Sequence, residues 1–284
     1  MNILSEDLLR YVKNLSERQV WGQDTLKGFC TKIDLWSGYD FLGANDRLTQ
    51  VLPSVTCCIA FGNDHPYLHE SLMSISLQSL RPDKIFVGVD NCLCDGYRID
   101  SASGVKFFSF KGHNGPFAVM NHLINASTTD YVLIMDSDDI SHPNRLEILL
   151  CAAEENSLDL VGSSVVNFDE GGDEIFTLGV FPTFPYAALK KCMCHSMLYP
   201  TILRRRSLYN DVGGFSSFEK FGMDTDFLIR AIHARSSMNL YLPLYAKRRR
   251  SVSLTESPLT GAVSARRSLV LKYTIDRYNE LHFS

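Results

Sequence analysis

The sequence predicts an α/β fold with a mostly parallel sheet and helices on both of its faces. From Val55 to Val166, apolar runs long enough for strands buried on both faces alternate with helical patterns. One of these runs, Tyr131–Met135, leads directly into a group of carboxylates. Open α/β sheets bind their ligands at the carboxyl ends of strands. The pattern therefore predicts both the fold and the edge of the sheet where a site should lie.

The elements can be placed in chain order. Residues 1–52 show helical apolar spacing and are predicted to form an N-terminal helical extension. A sheet domain over 53–255 and a C-terminal helical tail over 256–284 follow. The predicted strands cover 55–60, 85–89, 105–110, 131–135 and 160–166, and the predicted helices cover 67–80, 116–126, 143–155 and 225–234. After Phe168 the pattern is irregular until the last of these helices.

Composition narrows the functional classes. The net charge of −4 argues against wholesale nucleic-acid binding. No apolar run approaches the roughly 20 residues of a membrane span, and the N-terminus lacks the basic-then-apolar pattern of a secretion signal. Eight cysteines agree with a reducing compartment. We therefore expect a cytoplasmic protein.

The cysteines suggest a possible zinc site, which their spacing does not favour. Cys57 and Cys58 lie in an apolar run and are predicted to be small core residues. The pair Cys92 and Cys94 and the C-x-C-H cluster at 192–195 could hold zinc. However, neither spacing matches the usual C-x₂-C pairs of zinc sites.

The carboxylates after Met135 are the main candidate site. Asp136 and Asp138 are separated by one residue and could share Mg²⁺ or Mn²⁺, which prefer oxygen ligands. Such a metal would hold a diphosphate. The alternative is a strand followed by a turn and a helix cap, since Asp favours both. Asp139 is predicted to be that cap.

Several motifs in order resemble a family-two glycosyltransferase with a GT-A fold. The segment VTCCIAFGNDHPYLHESLMSISLQSLRPDKIFVGVDNCLCDG is similar to the opening strand, helix and second strand of such proteins. The later blocks NGPFAVMNHLINASTTDYVLIMDSDD, LYNDVGGF and FGMDTDFLIR are similar to the next blocks of the family. The resemblance covers about residues 54–255.

The resemblance implies an inverting, metal-dependent transfer from a nucleotide-sugar, with a UDP-sugar as the expected donor. The implied acceptor is a glycan of surface polysaccharide synthesis, in some cases lipid-linked at the inner face of the membrane. Two alternatives stay open. A nucleotidyltransferase would normally carry a basic, Gly-rich loop where this chain has FGNDHPY. The second alternative is a non-catalytic binding subunit, because Asn91 and Met223 replace acidic residues of the family pattern.

The resemblance also implies a donor site. Asp90 would accept hydrogen bonds from the uracil or ribose, and an Asp that only forms a turn is the alternative. Asp136 would face the ribose or the metal, and Asp138 would coordinate the cation. The nucleotide-binding candidates are Phe61, Asp90, Asn91, Asn114 and Asp136.

On the acceptor side, Asp224 matches the family's general base, which takes the proton of the acceptor hydroxyl. Asp226 is its rival, and both could instead be acids in the first turn of a helix. His195 is a further catalytic or supporting candidate, although a core histidine is the simpler interpretation. Arg248 and Arg250 lie in a tail segment, KRRRSVSLT, that closes over the site in the family and could contact diphosphate. A solvated basic loop is the alternative.

The tail at Ser264–Tyr278 mixes cations with apolar residues. One interpretation is an interfacial helix that makes a peripheral membrane contact. The other, which the sequence favours, is a helix that packs on the sheet domain with its charges in water.

Overall fold

A computed structural model describes residues 52–62, 65–90, 104–170, 175–191, 195–251, 253–261 and 263–283. The predicted N-terminal extension lies almost wholly outside these residues. Asn91 and the cysteines at 92, 94, 192 and 194 also lie outside them. The extension, the base contact of Asn91 and the zinc alternative are therefore predictions that the structure does not address.

The described residues form one mixed sheet surrounded by helices. The strands are β1 (Val55–Phe61), β2 (Lys84–Asp90), β3 (Val105–Phe110), β4 (Tyr131–Asp136), β5 (Ile140–Ser141), β6 (Leu160–Phe168), β7 (Ile175–Gly179), β8 (Leu203–Arg205) and β9 (Ser237–Arg248). The helices are α1 (Leu68–Ser76), α2 (Pro116–Ala126), α3 (Arg145–Glu155), α4 (Pro185–Leu189), α5 (Arg206–Val212), α6 (Met223–Ala234) and α7 (Ala265–Phe283).

The sheet has the order β3-β2-β1-β4-β8-β6-β9-β5, with β7 paired to β6. Strands β3, β2, β1 and β4 are parallel, and β6 runs parallel to β9. The short strand β8 joins these two groups by antiparallel pairing to β4 and β6. The mostly parallel α/β sheet predicted from the sequence is confirmed.

The central strands are apolar because both of their faces are covered. In β1, Cys57 and Ile59 pack into the core that contains α1 and α3, whereas Cys58 packs into the opposite core with α2 and α6. Both thiols are free and fully buried, so the prediction that they are core residues is confirmed. Burial raises the pKa of Cys57 to about 12, and the thiol therefore stays protonated.

Two local predictions were wrong, and one side chain explains both. The first helix ends at Ser76 rather than at Leu80, because Gln78 turns into the interior. Its Oε1 accepts a hydrogen bond of 2.7 Å from the backbone of Leu146 in the first turn of α3. Gln78 therefore fills the capping role that the sequence assigned to Asp139.

Candidate active site

The carboxyl ends of β1, β2 and β4 meet at one edge of the sheet and open into a cavity of about 520 Å³. The N-terminus of α6, the end of β9 and the start of α7 supply its other walls. Phe61, Asp90, Asp136, Asp138 and Asp224 all line it. The fold thus brings together residues that are far apart in the sequence.

Asp136 and Asp138 face the cavity from the end of β4. The pKa of Asp136 is raised to about 7, first by burial and then by the negative charge of Asp138. Nearby Lys247 opposes this shift. Two half-buried carboxylates that repel each other in this way form a donor set suited to a cation. The described residues contain no cluster of three or more His, Cys, Asp or Glu side chains arranged to hold a metal by themselves.

Asp138 forms an ion pair with an arginine of the same chain, Arg250. Its Oδ2 accepts a hydrogen bond of 2.5 Å from Nε of Arg250, and both side chains are largely buried. Arg250 therefore lies directly beside Asp138, the carboxylate that we predicted from the sequence to be a metal ligand. This position suits a guanidinium that would contact the oxygens of a diphosphate held at Asp138.

Asp139 has a different role from the predicted helix cap. It is buried, and its Oδ1 accepts a hydrogen bond of 2.7 Å from the backbone of Arg248 at the end of β9. Helix α3 begins only at Arg145, and its flanking residue Asn144 makes no side-chain capping bond. Asp139 therefore fastens the tail of β9 to the loop that follows β4.

Arg248 strengthens the same connection. Its Nε donates to the Asp138 carbonyl at 2.9 Å and its Nη1 to the Glu170 carbonyl at 2.7 Å. Its Nη2 pairs with the Glu70 carboxylate at 2.5 Å. The guanidinium lies between the rings of Tyr67 and Phe168, 4.0 and 4.6 Å from their centroids. Since its three nitrogens bind protein groups, the geometry favours a brace and disfavours the predicted diphosphate contact for this residue.

Replacing Arg248 by Lys is expected to lower the free energy of unfolding by about 2–4 kcal/mol. One ammonium cannot reach Glu70, Glu170 and Asp138 together. The matched control is Arg249→Lys, because Arg249 is exposed and its expected change is within about 0.5 kcal/mol. Urea unfolding measures both variants. Equal stability losses would contradict a bracing role for Arg248.

Asp90 binds the neighbouring loop. Its Oδ1 accepts hydrogen bonds from the backbone and side-chain nitrogens of Asn114 at 3.0 and 2.8 Å, and its Oδ2 accepts one from Gly115 at 2.7 Å. Burial, the largest single influence, raises the pKa of Asp90, but these hydrogen bonds outweigh it and the pKa is lowered overall. Asn114 is exposed and does not line the cavity. It shapes the site through Asp90.

Asp224 lies in the first turn of α6, directly after Gly222 and Met223. Gly222 has a φ of 75°, a left-handed conformation that favours glycine. Met223 is fully buried, whereas Asp224 lines the cavity. Its Oδ1 is buried and has no hydrogen-bond partner among the described residues. One oxygen of this carboxylate therefore has no structural partner among the described residues, which suits a proton acceptor.

The two rivals of Asp224 are placed differently. Asp226 binds Arg230 through two hydrogen bonds of 2.7 and 3.1 Å, and Arg230 in turn donates to the Gly214 carbonyl. Asp226 does not line the cavity. His195 is exposed and also lies outside the cavity lining, so the expectation of a core histidine was wrong. The geometry therefore favours Asp224 over both.

Several cavity residues were not identified from the sequence, and His65, Lys247 and Arg267 are the main examples. His65 accepts a hydrogen bond of 3.2 Å from the backbone of Tyr67 through Nδ1, and its Nε2 lies 3.0 Å from Oγ of Ser137. Lys247 lies next to the Arg248 brace. Arg267 reaches the cavity from α7. The cation run around Lys247 was visible in the sequence, but no local signal distinguishes Arg267 from its neighbours.

Helix α7 packs on the sheet domain. Val270 and Tyr278 are buried in the core that contains α6, and the Tyr278 hydroxyl lies 2.8 Å from Nδ1 of His233. Leu269 and Tyr273 are exposed on the other side. The packed arrangement that the sequence favoured is confirmed. No described helix combines the length and the apolar character needed to cross a membrane.

Comparison with known proteins places the chain in a family. The family described as "Glycosyl transferase family 2" matches residues 56–221, which is more than half of the chain. The chain is a member of glycosyl transferase family 2. The match ends shortly before Asp224, so the proposed base, Arg250 and Arg267 lie beyond it.

Three relatives are glycosyltransferases by name. The putative glycosyltransferase EpsE of Bacillus subtilis is 27% identical over 179 residues, which is 59% of this chain and 62% of EpsE. The glycosyltransferase GlyG of Streptococcus pneumoniae is 25% identical over 231 residues, covering 73% of this chain and 75% of GlyG. An Escherichia coli UDP-Gal:alpha-D-GlcNAc-diphosphoundecaprenol beta-1,3-galactosyltransferase is 28% identical over 124 residues, covering 41% of this chain and 44% of the enzyme. The chain thus spans less than two thirds of EpsE.

A solved structure shares the fold. Staphylococcus aureus TarS 1-349 in complex with UDP-GlcNAc superposes with a TM-score of 0.59 at 18% identity, over 80% of this chain and 73% of that one. At this identity the likeness establishes the fold alone. It agrees with the GT-A architecture that the sequence motifs implied.

Proposed function

We propose that this chain is an inverting, metal-dependent glycosyltransferase that uses a UDP-sugar. One observation carries the proposal: the carboxylates of Asp136, Asp138 and Asp224 line the same cavity at the carboxyl ends of the strands. Oδ1 of Asp224 has no hydrogen-bond partner among the described residues. The first two suit a nucleotide-metal complex, and the third suits proton transfer. A cavity with both features fits sugar transfer from a nucleotide.

In this proposal, Asp138 and Asp136 are the residues that would hold Mn²⁺ or Mg²⁺ together with the diphosphate of the donor. A bound divalent cation would neutralise charge that develops on the departing diphosphate. Family 2 enzymes are generally associated with a divalent metal. The guanidinium of Arg250, beside Asp138, adds a second positive charge on the same side.

Asp224 acts as the general base of the proposed reaction. Its carboxylate accepts the proton of the acceptor hydroxyl while the hydroxyl oxygen bonds to the anomeric carbon. The bond from that carbon to the UDP oxygen breaks on the opposite face, and UDP leaves. Displacement from the opposite face inverts the configuration through an oxocarbenium-like transition state.

The choice of UDP is supported by the relatives. TarS binds UDP-GlcNAc in its solved complex, and the E. coli relative is named for a UDP-galactose donor and a diphosphoundecaprenol-linked acceptor. We extend these to a UDP-sugar donor and a glycan or lipid-linked acceptor in surface polysaccharide synthesis. A cytoplasmic enzyme that meets the inner face of the membrane would fit such an acceptor, and the exposed Leu269 and Tyr273 on α7 are the candidates for that contact.

A binding subunit without catalysis is the remaining alternative, and Met223 is the feature that suggested it. Met223 is fully buried in the core. Met223 therefore does not line the cavity, whereas Asp224 does. Loss of an acidic side chain at this position has not removed the candidate base, and this favours an enzyme.

Thermal unfolding with a panel of UDP-, GDP-, CDP- and dTDP-sugars, each with Mn²⁺ or with EDTA, tests the proposed donor class. A ligand at 100 times its dissociation constant stabilises the folded state by about 2.7 kcal/mol. UDP-sugars with Mn²⁺ are expected to raise the melting temperature, and EDTA should remove most of the increase. Stabilisation by another nucleotide class, or equal stabilisation without metal, would contradict the proposal.

A further inference from the structure

Arg267 belongs to the cavity wall although it lies well beyond the residues matched to the family. Its Nε donates a hydrogen bond of 2.6 Å to the Thr260 carbonyl, and its Nη2 donates one of 3.2 Å to the Leu254 carbonyl. Its guanidinium lies 5.4 Å from the ring centroid of Phe221, just before α6. Arg267 is thus fixed both to the loop over 253–261 and to the start of the helix that carries Asp224.

Within the described part of the chain, no carboxylate directly contacts the guanidinium of Arg267. Arg267 and Asp224 line the same cavity. Burial lowers the pKa of Arg267, and the negative charge of Asp224 opposes this shift. Among the described residues, Arg267 forms no salt bridge, and its Nη1 makes no hydrogen bond. A half-buried guanidinium is costly unless a negative group accompanies it. A ligand in the cavity can supply that group.

The position of Arg267 indicates which ligand would supply the negative group. Arg250 lies against Asp138, on the side proposed for the donor diphosphate. Arg267 packs beside Phe221, three residues before Asp224, and lines the same cavity as both, on the side proposed for the acceptor. A neutral sugar acceptor would not need a second guanidinium there, whereas an acceptor that carries phosphate next to its reactive sugar would.

We propose that Arg267 binds the phosphate of an acceptor whose sugar is linked through phosphate or diphosphate. The inference rests on the proposed function, because it takes Asp224 as the mark of the acceptor side. Arg267 thereby selects phosphate-linked acceptors over neutral glycosides. The start of α7 is part of the active site in addition to its packing role.

Calorimetry in the presence of UDP and Mn²⁺ tests this with two soluble probes: GlcNAc linked through diphosphate to a short alkyl chain, and the alkyl glycoside of the same sugar. The wild type is expected to bind the diphosphate probe about tenfold more tightly, as a charge-assisted contact predicts. Arg267→Met should remove this preference, and Arg267→Lys should keep part of it. Arg266→Met is the matched control, since Arg266 is an exposed neighbour that pairs with Glu219 outside the cavity lining.

Three results would overturn the proposal: a wild type without preference for the diphosphate probe, an Arg267→Met variant that weakens both probes equally, or one that weakens UDP. The last result would assign Arg267 to the donor diphosphate. Failure of the proposed function is distinguishable, because it would appear as absent UDP binding with Mn²⁺ in the wild type before either probe is added.

Discussion

Replacing Asp224 by Asn is expected to slow sugar transfer by about 10²–10⁴-fold, the usual cost of losing general-base catalysis. Asn is nearly the same size but cannot accept a proton at neutral pH. UDP affinity should change little, because Asp224 lies in α6 and is not one of the two carboxylates proposed to hold the metal. Initial rates with a UDP-sugar and calorimetry with UDP and Mn²⁺ measure the two effects separately.

Asp226→Asn is the matched control, two residues along the same helix. It breaks the ion pair with Arg230 and is expected to lower stability more than activity. Urea unfolding and rates on the remaining folded protein distinguish the two. If Asp226→Asn were inactive and Asp224→Asn close to wild type, the assignment of the base would be wrong.

Asp138→Ala is expected to abolish the metal-dependent stabilisation by UDP. Without a cation, the carboxylates at the end of β4 would repel a diphosphate, so binding of the nucleotide should require the metal. The wild type should gain about 2.7 kcal/mol at 100 times the dissociation constant, and the variant should gain almost nothing. Differential scanning fluorimetry with UDP, with and without Mn²⁺, measures this.

Asp211→Ala serves as the control for Asp138→Ala, because Asp211 forms an exposed ion pair with Arg235 outside the cavity lining. It should keep the full response to UDP and Mn²⁺. A folded Asp138→Ala variant with an unchanged response would exclude Asp138 as a metal ligand.

The first half of the sheet could be predicted because each of its central strands is marked by a pattern of neighbouring residues in the sequence. Strands such as β1 and β4 are buried on both faces and read as unbroken apolar runs, and the helix over Pro116–Ala126 was predicted with the bounds that the structure shows. In the second half of the sheet, β6 was predicted, whereas β5, β7, β8 and β9 were not. Strand β9 contains Pro243, which cannot donate to the ladder, and the register with β6 shifts near it.

The candidate site was likewise predictable only in part from the sequence. The carboxylates Asp136, Asp138 and Asp224 could be found because motif order and strand ends place them at one edge of the sheet. Motif order also ranked Asp224 ahead of Asp226, but the features that separate them in space, the ion pair of Asp226 with Arg230 and the position of Asp224 in the cavity wall, are visible only in the structure. Arg267 enters the site through tertiary packing of α7, which no local pattern encodes.

The most direct test of sugar-transfer chemistry is UDP release from a UDP-sugar, measured on the purified chain with Mn²⁺ and with EDTA. The account predicts release that requires the metal and that falls by at least about 10²-fold in Asp224→Asn. A wild type that binds UDP with Mn²⁺ but releases no more UDP than Asp224→Asn does would contradict it, and would identify the chain as a binding subunit.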